Sequence, residues 1–347
     1  METGVNLNTI YERAMDIKSR CRDIPLNSLS DASVSLNGDL GTMNYIAPLD
    51  NGIGLLQTAA LTPWSFKQLC SGRIGVPYQY MKKCIDSENP EIRGLFETNV
   101  NTWMEDYQKG AVLRLYTTPE GVRTVRGVLT PSYTVFDSND VLKVVLETMN
   151  SAKYKEHRFE VKGYELNESG MQLRVVQPDM LDIDGEDIFA GFIIHSGDVG
   201  NRKLSVRFFL WKQVCTNGLV VARAMGNMLQ KRHRGSCEGE FIDSITEVMD
   251  MLPDFIENAK AIIAENKGKE LSADKLRHML DNFAKAVKIT DEEKEKIRVL
   301  TRDTYGLSRW GFINALTDFA QDERFDVDAR TDIEVYAGNL LVSKRAA

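Results

Sequence analysis

The residues with the clearest chemical potential lie between Val199 and Cys237. That window holds Arg202, Lys203, Arg207, Lys212, Arg223, Lys231, Arg232 and Arg234, with no Asp or Glu, a charge of +8 in 39 residues. The whole chain carries −7, so the other 308 residues carry −15. An acidic protein with one concentrated basic segment can hold an anion locally. Within the window, Lys203–Lys212 alternates as a strand does. One face carries Leu204, Val206, Phe208 and Leu210 and reads as core. The other carries Lys203, Ser205, Arg207, Phe209 and Trp211. Cations for phosphates, interleaved with rings that stack on bases, suit single-stranded nucleic acid. The competing reading puts Phe209 and Trp211 under a helix, with the cations paired to acids elsewhere. Cys215-Thr216-Asn217-Gly218 then makes a turn. The following stretch, Leu219–Leu229, reads as a helix ending in Lys231, Arg232, His233, Arg234 and Gly235. The helix dipole alone favours cations there, which allows a purely structural role; three cations and a histidine exceed that need, and the excess is the argument for a phosphate contact.

Catalytic constellations are weaker. Asp179, Asp182, Asp184, Glu186 and Asp187 form an acidic loop. Its Asp182-x-Asp184-Gly185 core resembles a calcium loop, yet Met180 falls at the first ligand position and Gly191 at the twelfth. Clustered carboxylates could serve a metal-dependent nuclease, and the main alternative is a solvated loop. Cys215 with His233 or His195 is a conceivable nucleophile pair, or Cys215 is a small buried hydrophobe. The loop Ser196–Asn201 has two glycines without dinucleotide-binding spacing, and no P-loop is present. It reads as a flexible connection or a backbone anion nest. No catalytic residue, metal ligand or cofactor is assigned.

The elements that must position these residues follow from pattern. Residues 1–110 read as a mixed region with short helices, one opened by Thr62-Pro63 and one following Val76-Pro77. Residues 111–221 read as strands. Ala111–Thr117 and Val122–Leu129 flank a turn, and Asp137–Asp140 caps a helix over Val141–Met149. A second hairpin covers Arg158–Tyr164 and Met171–Val176, and strands Ile188–His195 and Lys203–Val214 follow. Residues 222–347 read as helices. Phe241, Ile245, Val248, Leu252, Phe255 and Ala259 share a face that Pro253 kinks or breaks, and Thr290–Glu293 opens a capping box. Strands before helices predict an α+β protein: a central antiparallel sheet of hairpins with an inserted helix, then a helical C-terminal half. The three regions could form one continuous domain.

Composition sets the limits. With 43% hydrophobic and 27% charged residues, the chain is ordinary globular protein. No apolar run reaches membrane-spanning length, and the first twenty residues lack a secretory layout. Five widely spaced cysteines, without a CxxC pair, fit reduced thiols in a cytoplasm.

Several segments together resemble the phage- and plasmid-borne family known as domain of unknown function nine-three-two. They are Arg123–Asp140 (RTVRGVLTPSYTVFDSND), His195–Gly200 (HSGDVG), the basic-aromatic strand, Cys215–Gly218 and Arg232–Gly235. Near the end, Trp310-Gly311 through Asn314–Thr317 and Ala337-Gly338 complete the likeness. His195 and Asp198 stand where the family pattern has Asn and Glu. The resemblance implies a mobile-element origin and a bacterial cytoplasm, and it supplies no catalytic residue. In outline it is similar to single-strand annealing proteins, an analogy at fold level. The expectation is a nucleic-acid-binding protein, acting on single-stranded DNA in recombination or replication, able to form homo-oligomers and without a membrane partner. The alternatives are a protein that blocks a host defence enzyme through its acidic remainder, and a metal-dependent nuclease using residues 179–187.

Overall fold

A computed structural model describes residues 3–37, 39–48, 54–179, 181–183, 186–212, 217–221, 230–231 and 235–342. Helix α1 (Leu7–Ser19) starts on Asn6, whose side chain accepts from the Thr9 amide. Strands β1 (Cys21–Leu26), β2 (Ala32–Ser35), β3 (Thr42–Pro48) and β4 (Gly54–Leu61) follow. Three helices come next: α2 (Pro63–Lys67), α3 (Tyr78–Ile85) and α4 (Pro90–Asp106). Thr62 and Ser65 cap α2 reciprocally, with Pro63 in the first turn where its missing N–H costs nothing. Strands β5 (Ala111–Thr117) and β6 (Arg123–Leu129) form the expected hairpin, and α5 (Ser138–Met149) begins at Asp137.

These strands close a six-stranded sheet in the order β1-β5-β6-β4-β3-β2. All its ladders are antiparallel except β4 with β6. One face buries Tyr45, Leu113 and Val125 against Phe66, Met81, Phe96 and Val100 of the helices. The four strands β1–β4 are where the sequence reading showed only short helices. Two of their ladders run to partners far along the chain, β1 to β5 and β4 to β6. A short strand whose partner is distant leaves little local periodicity to read.

A second, antiparallel sheet holds β7 (Glu160–Asn167), β8 (Gly170–Val176), β9 (Leu181–Ile183), β10 (Glu186–Ser196), β11 (Leu204–Lys212), β12 (Asn217–Val221) and β13 (Gln230–Lys231). Its order is β12-β11-β10-β8-β7, with β13 also on β11 and β9 on β10. The α+β class stands, with the strands divided between two sheets. Residues 217–221 and 230–231 are strands laddered to β11; the sequence suggested a turn at Asn217-Gly218 and a helix over Leu219–Leu229, of which 222–229 lie outside the described residues. The Leu219-Val220-Val221 run finds a paired strand there, which overrides its helical reading.

The remaining helices are α6 (Cys237–Lys267), α7 (Ala273–Val287), α8 (Asp291–Val299), α9 (Arg309–Phe319) and α10 (Val327–Val342). Helix α6 runs through Pro253 without ending. The box at α8 is formed: Glu293 accepts from the Thr290 amide at 2.7 Å, and its own amide donates to the Thr290 hydroxyl at 3.3 Å. One face of the second sheet packs on α5 and α6, with Phe208 stacked on Phe255 at 4.4 Å between ring centroids. Helix α10 lies over the opposite face.

Candidate functional site

Strand β11 has the predicted alternation, and both of its faces are covered. Leu204, Val206, Phe208 and Leu210 are buried in the main core. On the opposite face Phe209 is fully buried, in a small cluster with Val176, Phe189 and Ile193 against which Trp211 and Val335 of α10 pack. Trp211 is half-buried, 5.6 Å from the Phe189 ring, with the Lys162 ammonium 5.1 Å above it. Helix α10 answers the cations of this face with carboxylates. Arg202 Nε lies 2.6 Å from Asp328 Oδ1. Arg174 Nη2 of β8 meets Glu334 Oε2 at 2.7 Å, both buried. Asp332 attracts the half-buried Arg207, whose pKa burial lowers. His195, opposite Ser205 in the ladder, is held neutral mainly by burial and then by Arg207, Arg174 and Arg202. So α10 carboxylates face Arg207 of β11, Arg174 of β8 and Arg202 before β11.

Two described cations of the segment lie apart from that pairing. Lys212 sits 5.5 Å over the Tyr305 ring, its ammonium 3.5 Å from Asn314 Oδ1. Lys203 is exposed at the start of β11. The register sets Leu204 opposite Lys231. Lys203 and Lys231, far apart in sequence, therefore share one end of the sheet. Arg223, Arg232, His233 and Arg234 lie outside the described residues, as does Cys215. Of the acidic loop, Met180, Asp184 and Gly185 also lie outside, while Asp182 pairs with Asp187 across β9 and β10. Among the described residues no three His, Cys, Asp or Glu side chains are grouped to hold a metal.

A buried polar arrangement joins the two sheets, and the sequence reading did not assemble it. Arg114 of β5 forks onto Asp137, Nη1 to Oδ1 and Nη2 to Oδ2, each at 2.7 Å. Its Nε donates to Asp23 at 2.9 Å, and Nη1 also reaches the Asp198 carbonyl. Lys18 of α1 adds a 2.6 Å contact to Asp137. Burial, the largest single effect on Asp137, raises its pKa, but the Arg114 hydrogen bonds and the surrounding cations outweigh it and hold the carboxyl well below the usual range. Asp198 Oδ1 accepts from the amide and hydroxyl of Ser138, at 3.0 and 2.8 Å. Burial and the neighbouring Asp137 push its pKa up to about 7, partly offset by Arg126. Arg126 donates Nη1 to the Glu168 carbonyl, and its buried Nε and Nη2 have no hydrogen-bond partner.

The Asp198 loop is also the clamp between the sheets. Trp64 Nε1 and Gln68 Nε2 both donate to the Val199 carbonyl, at 3.1 and 2.8 Å. Tyr133 Oη donates to the carbonyls of Gly197 and Asp198. Gly170, at φ +153°, makes the tight β7–β8 turn beneath this loop, where an added Cβ would stand 2.2 Å from the Ser196 carbonyl. The available signal was an arginine in the interior of each strand of the hairpin, Arg114 and Arg126, followed by Asp137.

Fold and junction define a two-sheet α+β protein whose halves are tied by a buried ion network. Residues 125–339, more than half of the chain, match the family model described as domain of unknown function (DUF932), and the chain belongs to that family. The Arg123–Asp140 and His195–Gly200 segments that carry the resemblance meet at the junction, through Arg126, Tyr133, Asp137 and Ser138 on one side and Asp198 on the other. No curated protein and no solved structure matched the chain.

Proposed function

We propose that this protein binds nucleic acid at the end of the second sheet where β11 starts and β13 ends. One observation carries the reading: the β11–β13 register brings Lys203 and Lys231 to the same end of the sheet. The run Lys231–Arg234 continues from that strand in sequence, and the 39-residue window around it contains no carboxylate. Cations gathered at one end of a sheet favour phosphate through counterion release. The α10 carboxylates occupy Arg174 and Arg202, so the contact falls on Lys203 and the Lys231–Arg234 run. The resemblance to mobile-element proteins makes single-stranded DNA the first substrate to test, with recombination or replication as the setting. No helix of the described residues is long and apolar enough to cross a membrane.

The test is a titration of labelled single- and double-stranded oligonucleotides over a salt series. Affinity should fall steeply with salt, and Arg232→Glu with Arg234→Glu should abolish binding at moderate salt while leaving the melt unchanged. Salt-independent or absent binding by the folded protein overturns the reading and turns attention to inhibition of a host enzyme.

A further inference from the structure

Helix α2 and the turn after it hold a cation against two rings. Trp64 and Lys67 stand three residues apart on α2 and so share one side of it. The chain then widens into a π-helical turn over Gln68–Arg73 and bends back, and the Tyr78 amide donates to the Ser71 hydroxyl at 3.0 Å. That return brings Tyr78 to the same ammonium. Lys67 Nζ lies 5.5 Å from the centre of the Trp64 ring and 5.6 Å from that of Tyr78. Lys67 is exposed, and both rings are half-buried. The indole N–H bond to the Val199 carbonyl, which Gln68 shares, fixes the Trp64 ring beside the loop that leads into β11.

The charge around this pair has been left open. The 35 residues from Asn51 to Ile85 contain Lys67, Arg73, Lys82 and Lys83 and no Asp or Glu. In space, no carboxylate pairs with Lys67, Arg73 or Lys83 among the described residues. Arg73 donates to the carbonyls of Val128 and Gly72 instead. Lys82 is tied to Asp86, and Tyr80 accepts from Asn99 of α4, so both stand outside the arrangement. The acids near the Val199 loop are engaged elsewhere: Asp198 is buried on Ser138, and Asp328 holds Arg202. Partly exposed rings beside an unpaired ammonium give a base a face to stack on and its phosphate a counter-charge. The rings of β11 cannot serve, because Phe209 is buried and Trp211 packs against the same cluster. The clamp also limits distance: Lys203 follows Val199 by four residues, at most about 14 Å of extended chain.

We infer that Trp64, Lys67 and Tyr78 form a base-stacking platform for single-stranded DNA, extending the Lys203–Lys231 contact across the Val199 loop. The inference rests on the nucleic-acid reading and adds to it the place where the bases themselves are held. The experiment measures the full chain's affinity for oligothymidylate and for an abasic strand of equal length at one salt concentration. Stacking of a single base should favour oligothymidylate about tenfold, roughly 1.4 kcal/mol. Trp64→Leu should remove that preference while keeping the abasic affinity, and Lys67→Glu should weaken both strands without moving the melt. Trp103→Phe, at an exposed ring of α4 outside the platform, should change neither. Because Trp64 also holds Val199, the unaltered chain is in addition photocrosslinked to a bromodeoxyuridine oligonucleotide, with adducts expected on Trp64 or Tyr78. Equal affinity for the two strands, a preference that survives in folded Trp64→Leu, or adducts confined to other segments would each overturn the platform and leave the phosphate contact standing. Absence of binding to either strand would overturn the nucleic-acid reading and the platform together.

Discussion

Asp198 shows how far a side chain can be moved from its ordinary chemistry by burial beside another carboxylate. Its Oδ1 has two donors from Ser138, while Oδ2 faces Arg126 only at 3.8 Å. With a folded pKa of about 7 against an ordinary value of 3.8, the folded state holds this proton more tightly than the unfolded chain. Its contribution to stability is therefore complete below the unfolded pKa and is lost as pH rises through about 7. Asp137 has the opposite sign: held well below the usual range, it contributes above its unfolded pKa and loses that contribution in acid. Asp198→Asn should accordingly gain on the native protein as pH rises from about 4 to about 7 and hold level above that. Denaturation curves at a series of pH values read this directly, and a pH-independent difference would show that Asp198 ionises normally. Arg114 is the costlier residue to lose. Arg114→Leu leaves Asp137 buried without its bidentate partner and should destabilise by about 3–5 kcal/mol in a urea melt.

At the scale of the element, β11 shows what alternation conveys and what it omits. The apolar face was legible because period-two spacing leaves no other place for Leu204, Val206, Phe208 and Leu210. The cation-aromatic face suggested a surface for single-stranded nucleic acid, yet Phe209 is buried there with Trp211 and Val335 of α10 packed beside it. On this side Asp332 faces Arg207, while Asp328 takes Arg202 ahead of the strand and Glu334 takes Arg174 of β8, three acids on a helix more than a hundred residues later. Period alone cannot say what lies above a strand. Phe209→Ala should therefore behave as a core truncation, lowering stability by about 3–5 kcal/mol, with no separate change in oligonucleotide affinity once folded protein is compared. Lys203→Ala should do the reverse: a change in stability within about 0.5 kcal/mol, with weaker binding and a flatter salt dependence. Paired melts and binding curves on the two variants distinguish strand face from strand end.

At the scale of the molecule, the two sheets are not independent. The family-matched stretch begins at residue 125, within β6, yet β6 lies between β5 and β4 in the first sheet. A fragment of residues 125–339 would expose both edges of β6 and leave Asp137 and Asp198 without Arg114. Such a fragment should lack a cooperative thermal transition, whereas the full chain should show one. A sharp melt of the fragment would mean that the first sheet is an accessory to a self-sufficient second one.

From sequence alone came the α+β order, the hairpins over 111–129 and 158–176, the capped starts of α2, α5 and α8, and a single basic window in an acidic chain. All of these depend on neighbours within a few residues: alternation, turn chemistry, side chains that cap their own helix, and charge counted along the chain. The tertiary structure decided the rest. It paired β1 with β5, set Asp23 against Arg114 across 91 residues, placed α10 over β11, and brought Asp137 and Asp198 to one pair of arginines. Each of these contacts is cheap to describe once made and nearly invisible beforehand. A buried charge is tolerated only where a distant segment supplies its partner, and nothing in the local pattern names that segment.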